Sequence, residues 1–381
     1  MDTSDPDITF DWRGICNHCR RFDFAMRRRL NQPKSNRELE AEMIERVGRA
    51  KGKYNCVIGL SGGADSSYLA YLVKREYGFR PLAVHLDNGW NSRLAVRNIQ
   101  RIVKKLEIEM ITHVIDWEEF RDLQRSYFKA SVVDIEATTD HAINAILFET
   151  AAKYGIDTLL MGTNIATEHI MPKSWFFVKK NDLSNLLDIH ARFGSVPLKT
   201  FPTMGREKLR RYRRDLDIRS YSPLNWRRYV KDEVKKVLAD ELGWKDYGGK
   251  HYESLFTKLY QGYFLIDKFG IDKRRAHLST LVKAGQLTRD QALEELETPA
   301  YPPEELEHDL DFMLKKLGFS REEFDEILRA EPRSHLDYAC DVETRLKYHF
   351  FYRLHPFYRQ LVRQSDRARA IVSSVRGGAA A

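Results

Sequence analysis

Six consecutive residues of this 381-residue chain have the types and spacing to do chemistry: Ser61-Gly62-Gly63-Ala64-Asp65-Ser66. They follow an apolar run, Cys56-Val57-Ile58-Gly59-Leu60, and precede a helical pattern. A buried strand that empties into a glycine-rich turn and a helix N-terminus gathers backbone N–H donors around one point, and the helix dipole adds positive potential there. Such a turn is an anion site. Paired glycines allow the backbone to approach a phosphate, and Ser61, Ser66 and Ser67 supply hydroxyl donors. No Gly-x4-Gly-Lys-Ser/Thr segment is present, so this is not a Walker A loop. A lone Gly-Gly would be read as a purely conformational turn. Here the serines and Asp65 crowd the glycines within one turn, which favours a nucleotide.

The elements around the loop must hold it in place. Val57–Leu60, Leu82–Leu86, Met110–Val114 and Thr158–Met161 read as strands. Ser66–Glu76, Ser92–Leu106 and two segments between Trp117 and Tyr154 read as the helices between them. That alternation predicts an α/β fold: a parallel sheet with helices on both faces and ligands at the carboxyl ends of its strands. From Arg228 onward the pattern is helical, with Val230, Val234, Val237, Leu238 and Leu242 on one face. Thr288 with Gln291 and Ser320 with Glu323 have capping-box spacing, and Gly285 fits a helix end. The organisation expected is an N-terminal segment over residues 1–50, a nucleotide domain over 51–226, a helical region over 227–376 and a disordered tail over 377–381.

Bulk properties fit a globular protein with a sizeable core, at 43% hydrophobic and 12% aromatic residues. No apolar stretch is long enough to span a membrane, and the acidic start Met1-Asp2-Thr3-Ser4-Asp5 lacks the features of a signal peptide. Four cysteines argue against a disulfide scaffold and, with the rest, for a cytoplasmic protein. The formal charge of +8 admits acidic partners. Its basic clusters are modest and dispersed, which suits a solvated surface better than a nucleic-acid track.

Other segments add candidates. Asp87, in His85-Leu86-Asp87-Asn88-Gly89-Trp90, stands at the end of the second strand, where it either contacts a nucleotide or builds a turn. Gly162 and Thr163 end the fourth strand, and Glu168 follows to join Asp65 in holding Mg²⁺. Pro223-Leu224 followed by Lys231-Asp232-Glu233-Val234 resembles the synthetase part of GMP synthetase. That likeness implies a phosphate-binding role for Lys231. The block Gly248-Gly249-Lys250-His251-Tyr252-Glu253-Ser254 and the block Lys268–Leu278 crowd cations, imidazoles and carboxylates against apolar residues, as a pocket for an anionic substrate would.

The loop resembles the pyrophosphate loop of the ATP pyrophosphatases. In order, Ser61–Ser67, His85–Trp90, Gly162–Glu168, Lys250–Ser254 and Lys268–Leu278 resemble the N-acetyl sugar amidotransferase family of bacterial surface-polysaccharide pathways. Met1–Pro6, Gly14–Cys19, Thr139-Asp140-His141-Ala142 and Gly285–Arg289 are similar to it too. The resemblance implies an adenine nucleotide alpha-hydrolase-like, Rossmann-like sheet and a reaction that releases AMP and pyrophosphate, turning an acetamido group into an acetamidino group. It implies ATP and Mg²⁺ over Ser61, Gly62, Gly63, Asp65, Ser66, Ser67, Asp87, Gly162, Thr163 and Lys231, with Glu168 on the metal. Catalysis falls to Asp65, Lys231, Lys250, His251 and Glu253, and substrate contacts to Asp140, His141, Lys268, Lys273, Arg274 and His277. Cys56 is expected in a strand, so ammonia is expected from a separate glutaminase, with a cyclase-like subunit, resembling imidazole glycerol phosphate synthase. Family members commonly carry a second Cys-x-x-Cys just ahead of the segment matching Met1; Cys16 and Cys19 alone are two ligands, so zinc is not expected here. A tRNA-modifying ATP pyrophosphatase and a non-catalytic nucleotide-binding protein are the rival readings.

Overall fold

Short β-branched runs and longer amphipathic stretches alternate through the first half, and each finds its place in the computed structural model, which describes residues 1–30, 35–249 and 252–341. The chain opens with α1 (Asn17–Leu30) and α2 (Asn36–Arg49), the latter started by a capping box between Ser35 and Glu38. There follow β1 (Cys56–Gly59), α3 (Ala64–Tyr71), β2 (Pro81–Asp87), α4 (Arg93–Leu106) and β3 (Glu109–Val114). Next come α5 (Trp117–Lys129), α6 (Ala137–Lys153), β4 (Thr158–Leu160), α7 (Ile165–Glu168), α8 (Leu183–Phe193), α9 (Arg206–Arg214) and β5 (Arg219–Tyr221). All pairings are parallel, in the order β3-β2-β1-β4-β5. Strand order reverses between β1 and β4, and the crevice at their carboxyl ends is where such sheets bind ligands.

Alternation along the strands divides the core. Val57, Leu82, Val84 and Leu159 pack with α5 and α6 through Phe120, Leu123, Ala145 and Leu147. Cys56, Ile58, Ala83 and Leu160 pack on the other face with Met43, Leu69, Ile99 and Ile102. Both faces are thus covered, as a parallel sheet requires. The expected strands are all present. β5 was not expected: it is three residues long, and its Arg219 and Ser220 are exposed. The expected helix over Ser66–Glu76 starts two residues earlier and widens into a π-turn at Leu72–Glu76.

The remaining helices are α10 (Lys231–Leu242), α11 (Leu255–Leu259), α12 (Leu265–Phe269), α13 (Arg274–Lys283), α14 (Arg289–Glu297), α15 (Pro303–Leu317) and α16 (Arg321–Arg329). A π-turn, Tyr260–Phe264, joins α11 to α12. Both expected capping boxes form, at Thr288–Gln291 and Ser320–Glu323. Gly285 follows α13 with φ +70°. These helices share the core of the sheet: Phe128 of α5 lies edge-on to Phe256 at 5.9 Å and to Phe264 at 4.9 Å between ring centroids. The tail at 377–381 lies outside the described residues. Among the described residues, no helix is long and apolar enough to cross a membrane.

Candidate active site

The turn after β1 is built by its own small residues. Gly62 adopts φ +85°, a left-handed conformation that other residues enter at a cost. Its carbonyl is turned away from the helix and accepts from Trp244 Nε1 (2.8 Å) and Tyr247 OH (2.7 Å). Ser61 Oγ lies 3.1 Å from Ser66 Oγ and accepts from the Gly63 N–H (3.3 Å), while Ser67 Oγ donates to the Gly63 carbonyl (2.7 Å). Ser61 is exposed and Ser67 buried. The loop is therefore held from behind, with its open side at the N-terminus of α3.

Gly162 faces this turn across the crevice. A Cβ there would lie 3.2 Å from the Ser66 nitrogen and 3.3 Å from the Asp65 carbonyl oxygen, so glycine lets β4 approach the first turn of α3. Thr163 Oγ1 lies 3.0 Å from Ser222 Oγ. Asp65 accepts a hydrogen bond from Tyr229 OH. Burial pushes the Tyr229 phenol pKa far up, and the negative charges of Asp65 and Glu168 push it further. Asp65 thus bonds this phenol directly, and the charge of Glu168 acts on it from the neighbouring α7. Lys231 opens α10 two residues on; its N–H donates to Gln286 Oε1 (2.9 Å), and Gln286 Nε2 donates to the Tyr229 carbonyl (2.9 Å).

Glu253 reaches the same loop from the helical half. A Cβ on Gly63 would lie 3.1 Å from Glu253 Oε1. Backbone pairing fixes that approach: Ser92 N–H donates to the Glu253 carbonyl (2.8 Å), and Leu255 N–H to the Trp90 carbonyl (3.0 Å). Asp87 builds the neighbouring turn, its Oδ1 accepting from Gly89 N–H at 3.0 Å. Lys316 of α15 closes this corner. It donates to the Gly89 carbonyl and lies 4.5 Å and 4.7 Å from the ring centres of Trp90 and Trp117. Burial lowers its pKa, against the pull of Asp87.

Three expected substrate residues are committed elsewhere. His141 is fully buried, its Nδ1 2.9 Å from the Lys180 carbonyl and its Nε2 accepting from Met204 N–H at 3.0 Å; burial lowers its pKa. Both nitrogens are thus consumed in the core. Lys268 donates to the Ile327 and Ala330 carbonyls, each at 2.5 Å, and so caps the end of α16. Arg274 pairs with Asp272 (2.8 Å) and donates to the Thr298 carbonyl (2.8 Å) at the end of α14. These are structural roles. Asp140 pairs with Lys180, and Lys273 lies near both. His277 is carried by α13, which packs on α7, the helix of Glu168. Lys250 and His251 lie outside the described residues.

A family model for NAD synthase matches residues 37–179, the stretch that holds the loop. A second, described as the C-terminal domain of LPS biosynthesis protein WbpG-like proteins, matches residues 253–354, beginning at Glu253. The chain joins an NAD synthase-like domain to a WbpG-like C-terminal domain. The family resemblance read from the sequence is borne out, with a pyrophosphate-loop domain of the ATP-using ligase or synthetase type in the first part and a region similar to the WbpG-like C-terminal domain in the second. An uncharacterised protein of Methanocaldococcus jannaschii, MJ1599, is 25% identical over 300 residues, 78% of this chain and 90% of that one. The GMP synthase [glutamine-hydrolyzing] of Aeropyrum pernix is 25% identical over 206 residues, 54% of this chain and 35% of its own length. Among solved structures, the NMN synthetase of Francisella tularensis matches at 16% identity and TM-score 0.29, covering 58% of this chain and 91% of its own. The NH3-dependent NAD synthetase of Campylobacter jejuni matches at 14% identity and TM-score 0.31, covering 68% and 94%.

The WbpG-like match begins at the carboxylate that faces Gly63 of the loop. Tyr229, Trp244, Tyr247 and Lys316 escaped sequence reading, since a lone aromatic or lysine carries no signal until tertiary structure brings it to a carbonyl or carboxylate. Cys16 and Cys19 face each other with sulfurs 3.4 Å apart. The hydrogen bond shared with Cys19 holds the Cys16 thiol pKa below its usual value. His18, between them, is engaged by Asp5 and by Arg21 Nη2 (2.7 Å). Among the described residues, no group of three or more His, Cys, Asp or Glu is arranged to hold a metal ion. Cys56 is buried in β1, and burial raises its pKa, the reverse of an activated nucleophile.

Proposed function

We propose that this protein is the synthetase component of an amidotransferase that converts the acetamido group of a nucleotide-activated sugar into an acetamidino group, in surface-glycan synthesis. The seating of Glu253 against Gly63 carries this reading. A carboxylate of the WbpG-like part stands beside the anion loop of the ATP-using part, so sugar and nucleotide chemistry would meet at one point.

The amide oxygen attacks the α-phosphorus of ATP, the α–β P–O bond breaks, and pyrophosphate leaves. Ammonia then adds to the former amide carbon and loses a proton, the C–O bond breaks, and AMP departs with the original oxygen. An amide oxygen is a poor leaving group and AMP a good one, hence the activation. The loop N–H groups with Ser61 and Ser66 receive the phosphates, and Lys231 adds positive charge. Asp65, bonded to Tyr229, and Glu168, whose charge reaches the same phenol, would hold Mg²⁺, which would supply charge neutralisation of the phosphates and commonly takes one or two carboxylates. Glu253 is placed to accept the proton that the incoming ammonia loses. A separate glutaminase with a cyclase-like subunit, resembling imidazole glycerol phosphate synthase, supplies the ammonia.

The test combines the purified chain, ATP, MgCl₂ and a panel of nucleotide-activated acetamido sugars, with or without ammonium chloride. AMP, pyrophosphate and a sugar in which NH replaces oxygen are expected only when ammonia is present. Release of ADP and phosphate would overturn the proposal.

A further inference from the structure

Four residues along the chain from Glu253, Thr257 reaches a cluster of charges that has no part in the reaction above. Asp134 and Glu136 precede α6, Asp140 lies in its first turn, Lys180 precedes α8, and Lys273 precedes α13. Thr257 and Gln261 fasten Glu136, donating to Oε1 at 2.5 Å and to Oε2 at 3.4 Å. Glu253 lies just before α11 with its carbonyl paired to the Ser92 N–H, and Thr257 lies in the first turn of α11, so the cluster begins four residues along the chain from the residue that faces the loop.

The cluster is incompletely satisfied. Lys180 is held by Asp134 (3.3 Å) and by Asp140. Lys273 is only 8% exposed, and among the described residues its ammonium has no hydrogen-bond acceptor; its near neighbour is the Tyr260 ring, 4.8 Å from Nζ to centroid. Burial lowers its pKa, and Asp134 and Glu136 work against that. A nearly enclosed ammonium gains from an acceptor brought to it. Asp134 Oδ1 is buried without a partner. Glu136 is half-buried and the Asp140 side chain 41% exposed, so the cluster has a solvent-facing rim with Lys273 behind it.

Charge and hydrogen-bonding capacity narrow the occupant. Three carboxylates against two ammoniums disfavour a phosphate. The need of Lys273 for an acceptor disfavours a simple cation. A neutral group with an acceptor for Lys273 and donors for Glu136 and Asp140 satisfies both conditions. We propose that this cluster is the pocket for the ring of the acceptor sugar, with Lys273 donating to an oxygen of its hydroxyl or acetamido groups. The assignment rests on the sugar reading above.

Saturation-transfer NMR on the full chain tests it, with N-acetylglucosamine, glucose and glucose 1-phosphate as probes and a non-hydrolysable ATP analogue present. Both neutral sugars should bind the wild type, and glucose 1-phosphate should bind less well than glucose. Lys273→Met should weaken sugar binding about tenfold or more, the loss of a charged hydrogen bond, with affinity for the ATP analogue within about twofold of wild type because no phosphate contact is removed. Should that variant not fold, amine acetylation of the wild type read by peptide mass spectrometry replaces it: N-acetylglucosamine should protect Lys273 and leave the exposed Lys51 unprotected. Glucose binding as well as N-acetylglucosamine, still dependent on Lys273, would uphold the pocket and remove the acetamido reading. Sugar affinity indifferent to Lys273, no protection, tighter binding of the phosphorylated probe, or no neutral sugar bound by the wild type would each overturn the pocket.

Discussion

Gly62 and Gly63 are adjacent and chemically identical, yet replacing each by alanine should have opposite consequences. Gly62 has φ +85°, and its new Cβ would lie 3.0 Å from the Ala95 carbonyl oxygen, 3.1 Å from Ile99 Cγ1 and 3.2 Å from Tyr247 OH. The left-handed backbone costs about 1–2 kcal/mol and overpacking about 1–3 kcal/mol, so Gly62→Ala should destabilise by about 2–5 kcal/mol. Gly63 has φ −64°, which alanine adopts freely; its Cβ would press on the flexible carboxylate of Glu253 at 3.1 Å and lie in ordinary contact with Ser61 Oγ at 3.4 Å. Gly63→Ala should therefore cost under about 1 kcal/mol of stability while displacing Glu253 from the loop. Urea denaturation gives the stability, and the rate of AMP formation gives the catalysis. The expected pattern is a sharply lowered midpoint for Gly62→Ala, and for Gly63→Ala a near-native midpoint with the rate down at least about tenfold. Equal midpoints for the two variants would refute the geometric argument. A fully active Gly63→Ala would refute the role of Glu253.

Tyr229→Phe removes the hydroxyl that donates to Asp65, a bond to a charged acceptor worth about 1.5–3 kcal/mol. The Mg²⁺ dependence of ATP binding should shift, as isothermal titration at several Mg²⁺ concentrations would register; an unchanged dependence contradicts the assignment of Asp65. His141→Leu leaves the Met204 N–H and Lys180 carbonyl without their ring partner, at about 2–6 kcal/mol in total, and should not change KM in whatever folded fraction remains. A raised KM at native stability would return His141 to the substrate site. Burial holds His335 down to about 4 from 6.5, so the unfolded chain binds the proton first as pH falls. Its contribution of about 3 kcal/mol is complete above pH 6.5 and is lost as pH drops towards 4. Urea unfolding over that window should flatten in His335→Gln; identical pH slopes in both proteins would contradict it.

Much of the nucleotide half is legible because its signals are local. A buried strand, two glycines and three hydroxyls within one turn leave few alternatives, and four of the five strands announce themselves as β-branched runs. β5 escaped because three residues with exposed Arg219 and Ser220 carry no apolar period. The helical half misled in a physical way. Lys268, Arg274 and His141 look like a site when counted as charges and imidazoles, yet helix ends offer unsatisfied carbonyls, and buried backbone takes such side chains readily. Glu253 was visible through family resemblance, whereas Lys316 and Tyr229 were not, because their partners lie 227 and 164 residues away. Glu136 and Lys180 were missed for the same reason: a buried charge network is made by packing, not by spacing.

Following one oxygen atom gives the sharpest test of adenylation at the loop. A nucleotide-activated sugar whose acetamido oxygen is ¹⁸O would be turned over with ATP and ammonia, and the released nucleotide analysed by mass spectrometry. Attack on the α-phosphorus predicts that the label appears in AMP and is absent from pyrophosphate and from the sugar product. Label found in inorganic phosphate, or retained on the sugar while nucleotide is cleaved, would contradict the account.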